Sequence, residues 1–274
     1  MENKFENLLT STTLIPLWAK AVESVSADPI LEDKHALEIL RHLGYDLNYY
    51  NKRKQNPSQV GCCLRAKWMD DETLKFIKAH KPCNVIQLGA GIDDRFRRIG
   101  MPDGVQHWND LDLPEVANMR KQVIPEVERN KIIPMNMFDT SWMKKLHDEK
   151  LPVLIIVEGV FMYIPKEDIG RLMKDISTHL GEAILLMDSV PTIAVGRAKY
   201  HDSVKKYNSK VEYVFGVKDG NQMAEFFPEV EALETVFMSD LPKANKFIWL
   251  LRMAYKIPFC YHNMNQLLIM LRIK

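Results

Sequence analysis

Asn84-Val85-Ile86-Gln87-Leu88-Gly89-Ala90-Gly91 is the stretch on which the fold turns. Its first part is an apolar run of strand length, and its last three residues form a G-x-G turn. Glycine at both ends of that turn lets the backbone double back sharply and lets a ligand approach the main chain. A G-x-G alone carries little information. Between a strand and a short helix, it marks the ligand-facing turn of a doubly wound sheet.

Outward from this turn, short apolar runs recur at residues 105–108, 131–135, 153–157 and 183–187, with helical stretches between most of them. In residues 166–180, Ile169, Leu172, Met173, Ile176 and Leu180 share one helical face. Gly181 stands where a C-terminal cap belongs, and Pro114 opens another helix. Apolar strands separated by helices mean βαβ units and a mostly parallel sheet. The tail reads as a strand at 233–238, a helix at 246–254 and a strand at 267–273, which fits a terminal antiparallel hairpin with a helix in its connection. Upstream, residues 13–43 and 65–80 read as helices, and polar residues 48–61 as a loop. The expected architecture is a helical N-terminal cap, residues 1–82, on an α/β domain, residues 83–274, with a mostly parallel seven-stranded sheet.

The bulk properties exclude several classes. The chain has 274 residues, 46% hydrophobic and 27% charged, an ordinary globular composition able to bury a core without disulfides or metal. Cys62, Cys63, Cys83 and Cys260 form no C-x-x-C pair, so free thiols in a reducing compartment are expected, and no metal site. The first residues lack an apolar signal core, and no apolar run reaches the ~18–20 residues that span a bilayer. A soluble, cytoplasmic protein is expected. A net charge of +1 gives no ground for a nucleic-acid partner. The charge is uneven, however: residues 241–274 hold six Lys/Arg and no Asp or Glu. That is either a solvated basic face or an attraction for an anionic substrate or membrane surface.

Ligands of doubly wound sheets bind beyond the carboxyl ends of the strands, so the residues after each run are the ones to inspect. The dinucleotide fingerprint requires a third glycine at position 94, where this chain has Asp94. A carboxylate at a helix start repels a pyrophosphate, so a cofactor without phosphates, such as S-adenosylmethionine, fits better. Asp112 lies 21 positions beyond Gly91, where an acid about 20 residues on binds a ribose hydroxyl; capping of the next helix is the competing role. Asn136 offers an amide to an adenine amino group, or forms a turn. Glu158 ends the fourth run, and a carboxylate there must be paired, with a ligand ammonium or in a structural salt bridge.

Five segments resemble one family. Val85-Ile86-Gln87-Leu88-Gly89-Ala90-Gly91-Ile92-Asp93-Asp94-Arg95-Phe96, Asp110-Leu111-Asp112-Leu113-Pro114-Glu115-Val116 and Val157-Glu158-Gly159-Val160-Phe161-Met162-Tyr163-Ile164-Pro165 resemble the first, second and fourth motifs of the leucine carboxyl methyltransferase family. The N-terminal stretch from Leu14 to Leu31 and the segment Arg65-Ala66-Lys67-Trp68-Met69-Asp70-Asp71 are similar to its tetracenomycin-type polyketide O-methyltransferase branch. The resemblance implies a class I, Rossmann-like methyltransferase fold and S-adenosyl-L-methionine as cofactor. It implies that Arg65 holds the methionine carboxylate with Lys20 nearby, and that Gly89 and Gly91 form the cofactor turn. Asp112 would bind the ribose, Asn136 and Met137 would border the adenine, and Glu158 would lie near the amino group. Asn136 departs from the family, which usually has Asp there.

Methyl transfer from a sulfonium needs an acceptor oxygen aligned behind the methyl, with water excluded. A carboxylate acceptor is a nucleophile at neutral pH, whereas a phenol or alcohol needs a base. His107 and His179 read as structural. Tyr163 and the Arg197-Ala198-Lys199-Tyr200-His201 stretch are the candidates for touching the acceptor, with Tyr163 and His201 as the catalytic choices. The implied partner is a small anionic or phenolic molecule, polyketide-like acceptors included. A cofactor-binding regulator without turnover and a nicotinamide-dependent dehydrogenase are the alternatives.

Overall fold

The computed structural model describes residues 8–45, 57–198 and 212–274. Three helices come first: α1 (Leu8–Ser24), α2 (Lys34–His42) and α3 (Pro57–Ala79). Asp33 caps α2 by accepting the Ala36 amide at 2.9 Å. Helix α3 starts earlier than the polar composition of residues 48–61 suggests, because Pro57 can open a helix whose Val60, Gly61, Cys63 and Leu64 are buried. Residues 48–56 of that expected loop lie outside the described residues.

The α/β alternation then follows as β1 (Cys83–Leu88), α4 (Arg95–Arg98), β2 (Val105–Asp112), α5 (Pro114–Val123), β3 (Asn130–Pro134), α6 (Ser141–Asp148), β4 (Val153–Val157), α7 (Lys166–His179) and β5 (Ala183–Ser189). The tail supplies α8 (Gly220–Phe226), β6 (Val230–Phe237), α9 (Trp249–Ala254), α10 (Pro258–Met264) and β7 (Leu267–Ile273). The expected single helix between the last two strands is thus two short ones, divided before Pro258. Strand β2 runs four residues beyond its apolar run, so Asp110 and Asp112 sit on the strand itself. Asp110 can be buried there because Arg120 and Asn130 pair with it, at 2.6 and 2.8 Å.

The strand order is β3-β2-β1-β4-β5-β7-β6. Neighbours are parallel from β3 to β5, and β7 pairs antiparallel with both β5 and β6. This is the mostly parallel seven-stranded sheet expected from the sequence, with the order reversing between β1 and β4. Strands β1 and β4 are buried along their whole lengths, as strands covered on both faces must be. On one face, Ile169, Leu172, Met173 and Ile176 of α7 pack on β4, β5 and β7. On the other, Trp68, Met69, Phe76 and Ile77 of α3 pack on β1, β4 and β7. A third cluster joins α1 and α2 to Ile92, Val116 and Phe247, and so lays the first helices over the carboxyl ends of β1 and β2. No helix among the described residues is long and apolar enough to cross a membrane.

The contrast between core and surface is testable. Leu172→Ala, at a position with no exposure, should cost about 2–5 kcal/mol in denaturant unfolding. Leu250→Ala, at 61% exposure, should stay within about 0.5 kcal/mol of wild type.

Candidate active site

The glycine turn is fixed by the end of its neighbouring strand. The amides of Gly89 and Ala90 both donate to the Leu111 carbonyl, at 2.8 and 3.1 Å. Gly89 has φ +68°, and a Cβ there would lie 2.5 Å from Cγ2 of Val160. Conformation and space therefore both require glycine. Asp112 completes the turn: its carboxylate accepts the Gly91 amide at 2.7 Å and the Leu113 amide at 2.8 Å. Burial raises the Asp112 pKa, and the two amides partly oppose that rise. Each of its oxygens retains a further acceptor direction for a ligand hydroxyl.

Next to the turn lies a buried ionic network. Glu158, at the end of β4, accepts from Arg65 Nε at 3.1 Å on one oxygen and from Arg95 on the other. Arg65 also donates to Asp188 at 2.8 Å, and Asp188 accepts the Gly159 amide at 2.6 Å and the Gln266 side chain at 2.9 Å. Asp93 pairs with Lys20, Arg95 and Arg98; Arg98 also reaches Asp70 at 2.8 Å and Asp33 at 2.9 Å. Among the described residues the network holds the cations Lys20, Arg65, Arg95 and Arg98 against the carboxylates Asp33, Asp70, Asp93, Glu158 and Asp188, an excess of one negative charge. Burial by itself would raise the pKa values of Asp93 and Glu158. The surrounding cations, Arg98, Lys20 and Arg95 for the first and Arg65, Arg95 and Lys20 for the second, outweigh it and hold both carboxyls below their usual range.

One cavity of about 590 Å³ opens beside this network, within the ~300–1,000 Å³ usual for small-molecule sites. Lys20, Arg65, Gly89, Gly91, Asp112, Asn136, Met137, Glu158 and Tyr163 all line it. Nine of the ten residues singled out from the sequence therefore converge. The tenth, His201, lies outside the described residues with Lys199 and Tyr200. His107 and His179 do not line the cavity. Three details refine the expectations. Glu158 is held in salt bridges, Lys20 is committed to Asp93, and Asn136 is exposed and forms a turn in which its side chain accepts the Phe138 amide at 3.0 Å. Beyond Glu158 the wall is apolar, built by Met162, Val190, Pro191, Ala194 and Phe247. Tyr163 and Tyr213 pack there with ring centroids 5.7 Å apart. Burial pushes the Tyr163 hydroxyl up to about 12 and that of Tyr213 higher still.

Several network residues escaped the sequence reading. Asp188 directly follows the fifth apolar run, so inspecting that strand end as the other four were inspected finds it. Arg95 and Arg98 carried no such signal, because a basic cluster beside acids usually reads as solvated surface. Here Arg95 is fully buried.

The depressed carboxyls set an acid limit. Stability from Asp93 and Glu158 is complete above their unfolded pKa values, about 3.9 and 4.3, and is lost as pH falls through the lower folded values. The unfolding midpoint should hold from about pH 7 to 5 and fall below about pH 4. Glu158→Gln should lower stability at neutral pH by about 3 kcal/mol and make the acid limb shallower. Denaturant titrations across this pH range measure both effects.

Residues 13–177 match the model of the leucine carboxyl methyltransferase family. The tetracenomycin polyketide synthesis O-methyltransferase TcmP of Streptomyces glaucescens is 25% identical over 245 residues, covering 86% of this chain and 88% of the relative. The S-adenosyl-L-methionine-dependent methyltransferase dpfgK of Gibberella zeae is 21% identical over 255 residues, covering 87% and 86%. Among solved structures, a duf574 family protein from Streptomyces avermitilis aligns with TM-score 0.53 at 12% identity, over 93% of this chain and 97% of its own. A SAM-dependent methyltransferase from Anabaena variabilis aligns with TM-score 0.50 at 11% identity, over 75% and 84%. These two show the fold alone. The family match runs from the first helices through the glycine turn, Asp112 and Glu158, covers more than half of the sequence, and establishes that the chain belongs to the leucine carboxyl methyltransferase family.

Proposed function

We propose that this protein transfers a methyl group from S-adenosyl-L-methionine to an oxygen of a lipophilic small molecule, a carboxylate in preference to a phenol. The observation that carries the reading is one cavity that joins the glycine turn, Asp112 and the Arg65–Glu158–Asp188 network to an apolar, tyrosine-bearing wall. The donor set fits the cofactor. Asp112 has acceptor capacity for ribose hydroxyls, Arg65 is a fork-shaped donor suited to a carboxylate, and Met137 and Leu113 offer apolar flanks for an adenine. The excess negative charge of the network suits a ligand carrying a sulfonium, an ammonium and one carboxylate, net +1.

S-adenosylmethionine supplies an electrophilic methyl group; the protein's part is to orient, desolvate and balance charge. The apolar wall excludes water and strengthens the field of the neighbouring ions. Among the described residues lining the cavity no side chain is placed as a base for the acceptor, Asp112 being held by the turn amides and read as the ribose ligand. Asp93 and Glu158 are committed to cations, and Tyr163 and Tyr213 are held protonated at neutral pH. A carboxylate acceptor needs no base. With the cofactor bound, its sulfonium would supply the methyl group to the carboxylate oxygen and keep the C–S electron pair. A nicotinamide-dependent dehydrogenase loses support on both counts: Asp94 occupies the third glycine position, and the family is one of methyltransferases.

Calorimetry with S-adenosylmethionine should show binding, and no binding at millimolar ligand would overturn the reading. Arg65→Ala should weaken binding by about 1.5–3 kcal/mol, and Arg65→Lys should recover part of it. Thermal melts of the same variants separate this from loss of the Asp188 pairing. With a carboxylic acceptor, transfer should be nearly flat from about pH 6 to 9, whereas a rate that climbs with pH would indicate a phenol. The acceptor should also bind only after the cofactor has neutralised the negative site, so initial-rate and dead-end inhibition patterns should be ordered.

A further inference from the structure

The segment between β6 and β7 has two faces, and the cavity uses one of them. Phe247, Leu251 and Tyr255 line the cavity and pack on the cluster beneath the first helices. The other face carries Trp249, Leu250, Met253, Ile257 and Phe259, all at least half exposed, with Trp249 at 71% and Phe259 at 63%. Exposed apolar residues scattered singly are ordinary, but this many close together in sequence, on and between two consecutive helices, mark an interaction surface. Helix α10 packs beside the turn Thr192–Ala194, where Ile193 and Val195 extend the apolar surface. Ala194, Leu251 and Met264 also line the cavity, so the patch forms the outer side of its wall.

The charge around the patch selects among occupants. Lys243 and Lys246 are tied to Asp28 and Glu23, and Arg272 and Lys274 to Glu231. Arg252 and Lys256 are exposed on the patch itself and have no ion-pair partner among the described residues. No acid occurs anywhere in residues 241–274. A second copy of the chain is a poor partner: a two-fold contact would set this face against itself and bring Arg252 and Lys256 against equal charges. Protruding Trp, Phe, Leu and Ile beside unpaired cations are the composition of a surface that sits in the headgroup region of an anionic bilayer.

We propose that the α9–α10 face docks peripherally on an anionic phospholipid membrane, so that a lipophilic acceptor exchanges between bilayer and cavity through the wall these helices form. The docking stands on the patch alone; the acceptor's route rests on the function proposed above. The test is co-sedimentation of the full-length protein with vesicles of phosphatidylcholine alone and of phosphatidylcholine mixed with phosphatidylglycerol. Wild type should sediment with the mixed vesicles, less so as salt rises, and stay largely in solution with the neutral ones. The double variant R252Q/K256Q should partition onto the mixed vesicles roughly tenfold less or weaker still, the effect of withdrawing two cations from an anionic surface. W249S/F259S should also lose binding. Both variants should melt like wild type, since these side chains are exposed. Wild type that ignores both vesicle types overturns the proposal. So does a dimer that W249S/F259S converts to a monomer, because the patch would then be a self-interface. Vesicle binding without methyl transfer would sink the function and leave the docking intact.

Discussion

The grip on Glu158 from two sides is the interaction on which the rest depends. Arg65 reaches it from α3 and Arg95 from the short helix after the glycine turn, while Glu158 itself ends β4. One carboxylate thereby ties the first helices, the turn and the strand on the far side of the crossover into a single body. Arg65 then carries the linkage to Asp188 at the end of β5, and Asp188 holds the Gly159 amide. Remove either arginine and Glu158 loses half of its pairing in a largely buried place, a costly change for a carboxylate. The same ions that bring the strand ends together also set the sign of the cavity's field.

That dual use explains the division of labour around the cavity. Charged residues gather at the carboxyl ends of β1, β4 and β5, where the sheet order reverses, because strand ends there diverge and leave room for side chains. Asp112 stands slightly apart. It is held by backbone amides alone, so it fixes the turn without being drawn into the ion pairs. On the opposite side the wall of Met162, Val190, Pro191 and Phe247 carries no charge. The polar half suits recognition of a small charged ligand, and the apolar half suits a lipophilic one.

The fold was legible because its signal is redundant. The short, mostly apolar run at β1, the fully apolar one at β4, the 3.6-residue spacing in α7 and the glycine at its end all point to the same alternation. Gly89, Asp112, Asn136 and Glu158 were legible for a topological reason: they follow or end strands, so strand ends could be read without knowing how the sheet is ordered, whereas Lys20 and Arg65, on helices, were legible only through the family resemblance. What the sequence hid was pairing. Nothing local says that Arg65 meets an acid 123 positions away at Asp188, or that Arg95 is buried, since the partners are brought together only by the crossover. The start of α3 was hidden for the opposite reason: polar residues before Pro57 looked like a loop, although the following turn buries Val60 and Cys63 against the first helices. The long β2 was masked by Asp110, whose burial depends on Arg120 and Asn130.

The place of β7 has a consequence for how the protein is made. The last strand in sequence lies inside the sheet, between β5 and β6. As the chain leaves the ribosome from its N-terminal side, the first five strands can associate early, but β5 keeps an open edge until residues 267–273 have emerged. Through that interval Leu185 and Met187, fully buried in the finished protein, flank unpaired backbone that could pair with another nascent chain. Gln266, the last side chain to bind Asp188, arrives at the same moment. Sheet closure and completion of the cavity are therefore one late event.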